Sequence, residues 1–263
     1  MKKILSFLRH PLLDNLDVDG LSRFELHQQM LEGKKMLQLV FSEFHRIFKK
    51  LDIFYLNGSG IEVELGAGVS PMRISYPEVL ATDIVMAPNL DRVINAESMN
   101  FADNSVRVLY GQNCFHHFPD PDLFFSEAER VLSPGGGIIL LEPYYGPAAS
   151  FLYKRLFSSE GFDKAYSSWK TPITGPMNGA NQALSYIVFI RDKDEFSRKY
   201  PNLKIVNQSL VGNYLKYLIS GGLNFKQLLP NGFIPFINIT EKIISPFNRW
   251  LALHHIVVIQ KLK

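Results

Sequence analysis

Glu64, Asp83, the pair His116 and His117, and Glu142 are the residues whose types and order could do chemistry. Glu64 lies at the end of an apolar run, Ile61 to Leu65, and is followed by Gly66-Ala67-Gly68. Residues without a Cβ can take positive φ there and let a ligand lie against the main chain. Asp83 ends a second run, Glu78 to Asp83, about 17 residues after Gly66, the spacing at which a doubly wound sheet offers a carboxylate to a ribose diol. Two nucleoside-type ligands compete for this pattern. A dinucleotide needs Gly-x-Gly-x-x-Gly with its pyrophosphate on a helix N-terminus, and Pro71 stands at the third glycine position. A ligand without phosphates, carrying a carboxylate and an amine, suits the preceding Glu64 better. His116 and His117 follow a later apolar run, and histidine is the side chain best matched to proton transfer near neutral pH. The plainer reading of the pair is that it caps a helix and packs.

These groups have to be carried to one place by the elements around them. The pattern predicts strands over Ile61–Leu65, Glu78–Asp83, Val93–Ala96, Val106–Gly111 and Ile138–Glu142, with closing strands over Leu203–Leu210 and His255–Leu262. Ser70-Pro71 opens a short helix, serine as cap and proline at the first position. A longer helix runs from about Asp122 to Leu132 and stops at Ser133-Pro134-Gly135. Strands alternating with helices mean an α/β fold with a doubly wound, mostly parallel sheet, which binds ligands beyond its strand C-termini. The Gly66 bend, Asp83, Asn95 and Asn113 to His117 all fall at those ends. Ahead of the sheet, Leu37, Val40, Phe41, Phe44, Phe48 and Leu51 recur at helical spacing within one or two helices that Gly33 divides.

Glu64-Leu65-Gly66-Ala67-Gly68, then Asp83, then Asn95 to Ser105, then His116-His117-Phe118-Pro119-Asp120, then Glu129 to Gly137 together resemble a class I S-adenosylmethionine-dependent methyltransferase of the type-11 kind. The resemblance covers roughly Ile61 to Pro143. It implies a seven-stranded Rossmann-like sheet with its last strand antiparallel, an N-terminal helical extension over residues 1–55, and a methyltransferase domain over residues 56–263. Residues 150–200 and 216–250 would be a substrate-side insertion and an amphipathic segment. The extension would either close over the cofactor cleft as a lid or pack on the sheet.

The resemblance also assigns roles. Asp83 accepts the ribose hydroxyls, and Gly66, Ala67 and Gly68 line the methionine portion of S-adenosyl-L-methionine. Glu64 orients the loop or reaches the amino group through water. Asn95 and Ala96 stand where the family usually carries Asp-Ala beside adenine, which keeps an acceptor but removes the charge; Glu97 could substitute. Asn113 and the histidines leave the fourth strand beside the methyl group, with His116 or His117 as base, and Glu142 and Tyr145 touch substrate. The Asn/Asp-Pro-Pro-Tyr/Phe sequence of nucleic-acid and glutamine amino-methylating enzymes is missing from this segment, which argues against nucleic acid as partner. No tight ligand spacing supports a metal. The expected reaction is in-line methyl transfer to a small-molecule, glycan or lipid-linked acceptor, at oxygen rather than nitrogen or carbon. The competing classes are a subunit that binds the cofactor without turnover and an NAD-dependent oxidoreductase. The Glu142-Pro143 exit, Asn178 to Asp192 and Ser220-Gly221-Gly222 are similar to bacterial methyltransferases of surface-glycan assembly.

The rest of the chain narrows the setting. With 263 residues, 46% hydrophobic and 20% charged, it buries a core easily, and a formal charge of +3 does not argue for nucleic acid. Cys114 is the single cysteine, so no disulfide forms within the chain and a reducing compartment fits. The opening Met1-Lys2-Lys3 imitates a signal peptide, but Arg9, His10 and Pro11 end the apolar run early, and a cytoplasmic location is expected. The basic pairs Lys2-Lys3, Lys34-Lys35 and Lys49-Lys50 are expected on solvated helix faces, with an anionic surface as the other reading. Leu228, Leu229, Phe233, Phe236, Ile239, Ile243, Ile244, Phe247, Trp250 and Leu251 give the C-terminal third many large apolar residues outside the sheet. Either they pack on its second face, or they form an interfacial patch in peripheral contact with the inner face of the membrane.

Overall fold

The computed structural model describes residues 7–13, 20, 22–157, 160–173, 175 and 180–263. Lys2-Lys3, the start of the imitation signal peptide and the Asn178-Gly179 part of the glycan-like stretch lie outside the described residues.

The sheet has seven strands: β1 Ile61–Leu65, β2 Val79–Asp83, β3 Arg92–Val93, β4 Val106–Gln112, β5 Leu132–Pro143, β6 Leu203–Leu210 and β7 His254–Lys261. Their order is β3-β2-β1-β4-β5-β7-β6. β1 to β5 pair in parallel, and β7 runs antiparallel to both β5 and β6. This is the Rossmann-like arrangement, and its order reverses between β1 and β4, which opens a crevice at their C-terminal ends.

Alternate residues of the buried strands face opposite layers, as a pleated strand requires. Leu109, Ile138, Leu140, Val257 and Ile259 pack with Phe124, Phe125, Ala128 and Val131 of α3, Pro121–Val131. Val108, Tyr110, Ile139, Leu141, Ile256 and Val258 pack instead on Leu37, Val40, Phe41, Phe44 and Phe48. Those five residues belong to α2, Lys35–Tyr55, which Gly33-Lys34 separates from α1, Ser22–Glu32. Burying Phe44 and Phe48 fully contributes about 2 kcal/mol each, so α2 is held as a layer of the core.

A polar lock adds to that packing. Asp52 of α2 is fully buried and accepts both Arg107 guanidinium nitrogens together with the Tyr110 hydroxyl at 2.8 Å, while Arg107 also reaches Glu62 at 2.7 Å. Lys49 bonds Glu62 at 2.6 Å and Glu78 at 3.0 Å. Lys34 is buried at the junction of α1 and α2, where its ammonium donates to the carbonyls of Gly222 (2.7 Å) and Phe225. These two lysines are structural clamps, not parts of solvated basic faces.

Three local expectations are corrected. Ser70 caps nothing: the turn after β1 is a short 3₁₀ segment, Met72–Ile74, with no side-chain cap from its preceding residue. α3 is not stopped by Ser133-Pro134-Gly135 but passes straight into β5, with Leu132 already paired to Val106. The third strand is shorter than expected, and Asn95 lies beyond it in a turn bridged to Ser98.

The C-terminal apolar segment forms α7, Ile234–Ile244, and α8, Asn248–Leu251, after α4 (Pro147–Arg155), α5 (Lys193–Lys199) and α6 (Tyr214–Ser220). Ile237 and Glu241 of α7 turn inward, and Glu241 accepts the Lys216 N–H of α6 at 2.9 Å. Phe233, Phe236, Ile239, Ile243, Phe247 and Trp250 remain exposed, Ile243 by 70%. They do not cover the sheet, because α2 and α3 already fill its two faces. The segment adjoins the exit of β5 instead, where Tyr144 donates its N–H to Leu253 O at 2.7 Å.

Candidate active site

The β1 and β4 turns meet at the crevice. Gly66 (φ +61°) and Gly68 (φ +57°) both adopt the left-handed conformation that disfavours other residues. A Cβ on Gly66 would come 2.7 Å from Cys114 Cβ, so the two turns touch there, whereas one on Gly68 would meet only the Gly66 carbonyl oxygen at 3.9 Å. The bend is tied to β2 by three bonds: Ala67 N–H to Thr82 O at 2.9 Å, Thr82 hydroxyl to Glu64 O at 2.7 Å, and Gly68 N–H to Asp83 Oδ2 at 3.2 Å. Glu64 and Asp83 therefore frame the bend from opposite sides.

Glu64 is buried, and its Oε2 accepts the Met72 N–H at 2.6 Å, so the acid rather than Ser70 caps the following turn. Burial pushes its carboxyl up to about 8, against the Met72 bond and with help from nearby Asp83. Burial also raises Asp83, opposed by the Gly68 N–H and by the positive charge of Arg23 on α1. Arg23 thus places a cation of the N-terminal extension within electrostatic reach of the crevice. At the end of β4, Gln112 Oε1 and Asn113 Oδ1 are buried acceptors without a hydrogen-bond partner among the described residues, and Asn113 itself is left-handed at φ +51°. Buried polar atoms in this condition are uncommon, and they favour a ligand that brings donors. Asn95 is exposed, with Oδ1 accepting the Glu97 N–H at 2.9 Å, and Ala96 is buried in the core. Glu97 is engaged elsewhere, accepting the Asp120 N–H at 2.5 Å.

The histidine loop differs from its expected form. Glu142 is fully buried and accepts the N–H groups of Cys114 (3.0 Å) and Phe115 (2.9 Å), while its second oxygen lies 2.5 Å from His116 Nδ1. It braces the loop and is not open to a substrate. The other ring nitrogen of His116 lies 3.3 Å from Glu160 Oε2. Burial alone would lower the proton affinity of His116, but the Glu142 and Glu160 carboxylates outweigh it and raise the imidazolium to about 10. A histidine already charged near neutral pH has no lone pair to take a proton, so the geometry argues against His116 as the base. His117 is less buried, with Nε2 4.0 Å from the same Glu160 oxygen. Glu160 is a residue the sequence pattern did not single out. Tyr145 is half-buried in an aromatic group, its ring centroid 4.5 Å from Tyr144, 4.9 Å from Tyr186 and 5.5 Å from His255. Burial pushes the Cys114 thiol well up, so it stays protonated.

Residues 74–140 match a family model described as a methyltransferase domain. This stretch carries the sequence pattern of a methyltransferase domain on a Rossmann-like sheet. The match begins after the Gly66 bend and ends within β5. Similar solved structures include the YcgJ protein from Bacillus subtilis, at 16% identity over 82% of this chain and 99% of that one, TM-score 0.45. Geranyl diphosphate C-methyltransferase from Streptomyces coelicolor A3(2), in complex with Mg2+, geranyl diphosphate and S-adenosyl-L-homocysteine, is 13% identical over 84% of this chain and 82% of that one, TM-score 0.46. Phosphoethanolamine N-methyltransferase 2 from Haemonchus contortus, in complex with S-adenosyl-L-methionine, is 12% identical over 81% of this chain and 51% of that one, TM-score 0.44. No curated protein sequence matches the chain significantly. The residues of this crevice suit S-adenosylmethionine as a ligand: a paired-oxygen acceptor at Asp83, glycine main chain open on one side at Gly68, and buried acceptors at Gln112 and Asn113 without partners among the described residues match a diol and an ammonium group.

Proposed function

We propose that this methyltransferase moves the methyl group of S-adenosylmethionine to an oxygen of a lipid-linked acceptor, working against an anionic membrane surface. In this reading Asp83 takes the ribose hydroxyls, Gly66 to Gly68 lie along the methionine portion, and Asn113 and Gln112 receive its ammonium. Asn95 and Ala96 approach adenine, and α1 covers this end as a lid, bringing Arg23 toward Asp83. Transfer is an in-line displacement in which alignment and exclusion of water supply most of the acceleration. The loop of His116 is held rigid by Glu142, and His117 with Glu160 takes the hydroxyl proton as the oxygen attacks. Tyr145 and its aromatic neighbours wall the acceptor side.

The observation that carries the lipid reading is the exposed apolar face of Phe233, Phe236, Ile239, Ile243, Phe247 and Trp250. It is flanked by exposed Lys242 and Arg249, and it adjoins the β5 exit. An amphipathic segment with apolar and basic residues side by side suits the headgroup boundary of an anionic bilayer. No described helix is long and apolar enough to cross a membrane, so such a contact would be peripheral. The test combines flotation on anionic vesicles with methyl-labelled cofactor and a membrane extract. Flotation, S-adenosylhomocysteine formation and label in the lipid-extractable fraction are expected. Label confined to water-soluble products would refute the acceptor class, and no S-adenosylhomocysteine with any fraction would favour a non-catalytic binding subunit.

A further inference from the structure

His116 and His117 leave β4 side by side, their ring centroids 4.3 Å apart, and Glu160 comes to them from beyond α4. His116 Nε2 is 3.3 Å and His117 Nε2 is 4.0 Å from Glu160 Oε2, and one ligating atom of each residue lies within 4.8 Å of the other two. A tetrahedral ion with bonds of about 2.0–2.1 Å to nitrogen and oxygen spaces its ligands at about 3.4 Å, so only a small closure is needed. An independent observation lies behind the cluster. His116 Nδ1 faces Glu142 Oε2 at 2.5 Å, and Glu142 is in turn fixed by the N–H groups of Cys114 and Phe115. A carboxylate on the far nitrogen is the arrangement that orients a metal-bound imidazole, and an arriving ion would displace the Nε2 proton that the metal-free imidazolium holds, so binding would release a proton. Two imidazoles and one carboxylate suit a first-row transition ion, whereas calcium and magnesium prefer oxygen donors throughout.

We propose that His116, His117 and Glu160 form a site for a divalent transition ion such as zinc, with Glu142 as the positioning residue behind His116. Three protein ligands leave a fourth position for water or a substrate oxygen. The site stands on these distances alone; its use rests on the transfer reading above. In that use the ion draws the acceptor hydroxyl, lowers its proton affinity and lets the proton leave to water, which replaces His117 as base. The oxygen then bonds the methyl carbon as the carbon–sulfur bond breaks, and that electron pair stays on sulfur in the neutral thioether.

The test is titration of the full, metal-free chain with Co(II), read by visible absorption, and with Zn(II), read by calorimetry. One ion per chain is expected. Glu160→Gln and His117→Ala should each weaken it at least tenfold, with circular dichroism and melting temperature near those of the parent, and Glu142→Gln should weaken it by a smaller factor with a lowered melting temperature but a parent-like folded spectrum. No binding, or binding unchanged in Glu160→Gln and His117→Ala, overturns the site. Calorimetry with S-adenosylmethionine on the chelator-treated chain separates the two ideas: cofactor heat without a Co(II) signal removes the metal and leaves the transferase reading intact. If the ion binds but chelator-treated protein turns over cofactor in the membrane extract at an undiminished rate, the proposed use is overturned.

Discussion

Glu64 Oε2 accepts the Met72 N–H at 2.6 Å, so one buried acid spans the turn that contains both Gly66 and Gly68. A single ionisable group therefore shapes the bend.

The carboxyl of Glu64 is raised by burial to about 8, so the empty protein carries it protonated at neutral pH. A raised acid stabilises the fold below the ordinary carboxylate range, and that contribution is lost as pH climbs through about 8. The urea midpoint of the cofactor-free protein should thus fall between pH 5 and 8, and Glu64→Gln should flatten that fall. An arriving ammonium group favours the ionised acid, so cofactor binding should release a proton in this range. Calorimetry in buffers of different ionisation enthalpy measures it; equal heats in all of them would contradict the linkage.

Asp83→Ala should weaken cofactor binding by about 1–3 kcal/mol, roughly fivefold to 150-fold, through loss of charge-assisted hydrogen bonds to the ribose. Asp83→Asn should fall between, because it keeps one acceptor. An unchanged dissociation constant in Asp83→Ala would remove the ribose assignment.

Asp52→Ala should act on stability alone. It strips partners from Arg107 and the Tyr110 hydroxyl in a buried setting, a loss of about 3 kcal/mol. Denaturant melts should show it, while cofactor affinity per folded molecule stays near that of the parent. Removal of Arg107 in the same chain should restore part of the loss, since the cation then has no buried partner to miss.

Replacing Phe236, Ile239 and Ile243 together with serine should abolish flotation on anionic vesicles and leave cofactor binding and melting temperature little changed, because these side chains are exposed. Raised salt should weaken flotation of the parent in part, through Lys242 and Arg249. A melting temperature that collapses in the triple variant would mean that the face packs against protein after all.

Much of the fold was legible because it is written locally. The seven strands lie near their expected places since period-two apolar runs and turn residues mark them, and Leu203–Leu210 matches at both ends. That Asp83 lies beside the glycine bend could be read from spacing along one βαβ unit. What stayed hidden depends on distant partners. Asp52 and Arg107 are 55 residues apart, and Glu160 reaches His116 across 44 residues from a stretch with no periodicity to announce it. Glu142 ends a buried strand whether it faces a ligand or turns back, and only the fold shows it bonded to Cys114, Phe115 and His116. The apolar tail had two readings for a similar reason: which side of the sheet is already filled is a property of α2 and α3, not of the tail.

The Lys34 ammonium, which grips the carbonyls of Gly222 and Phe225, gives this architecture a mechanical linkage. It fastens the hinge between the first two helices to the chain leading into the greasy shelf. If the proposed seating on a bilayer holds, a pull on that shelf would pass through the buried Lys34 ammonium to the helix that carries Arg23, so that docking and closure would share a single joint.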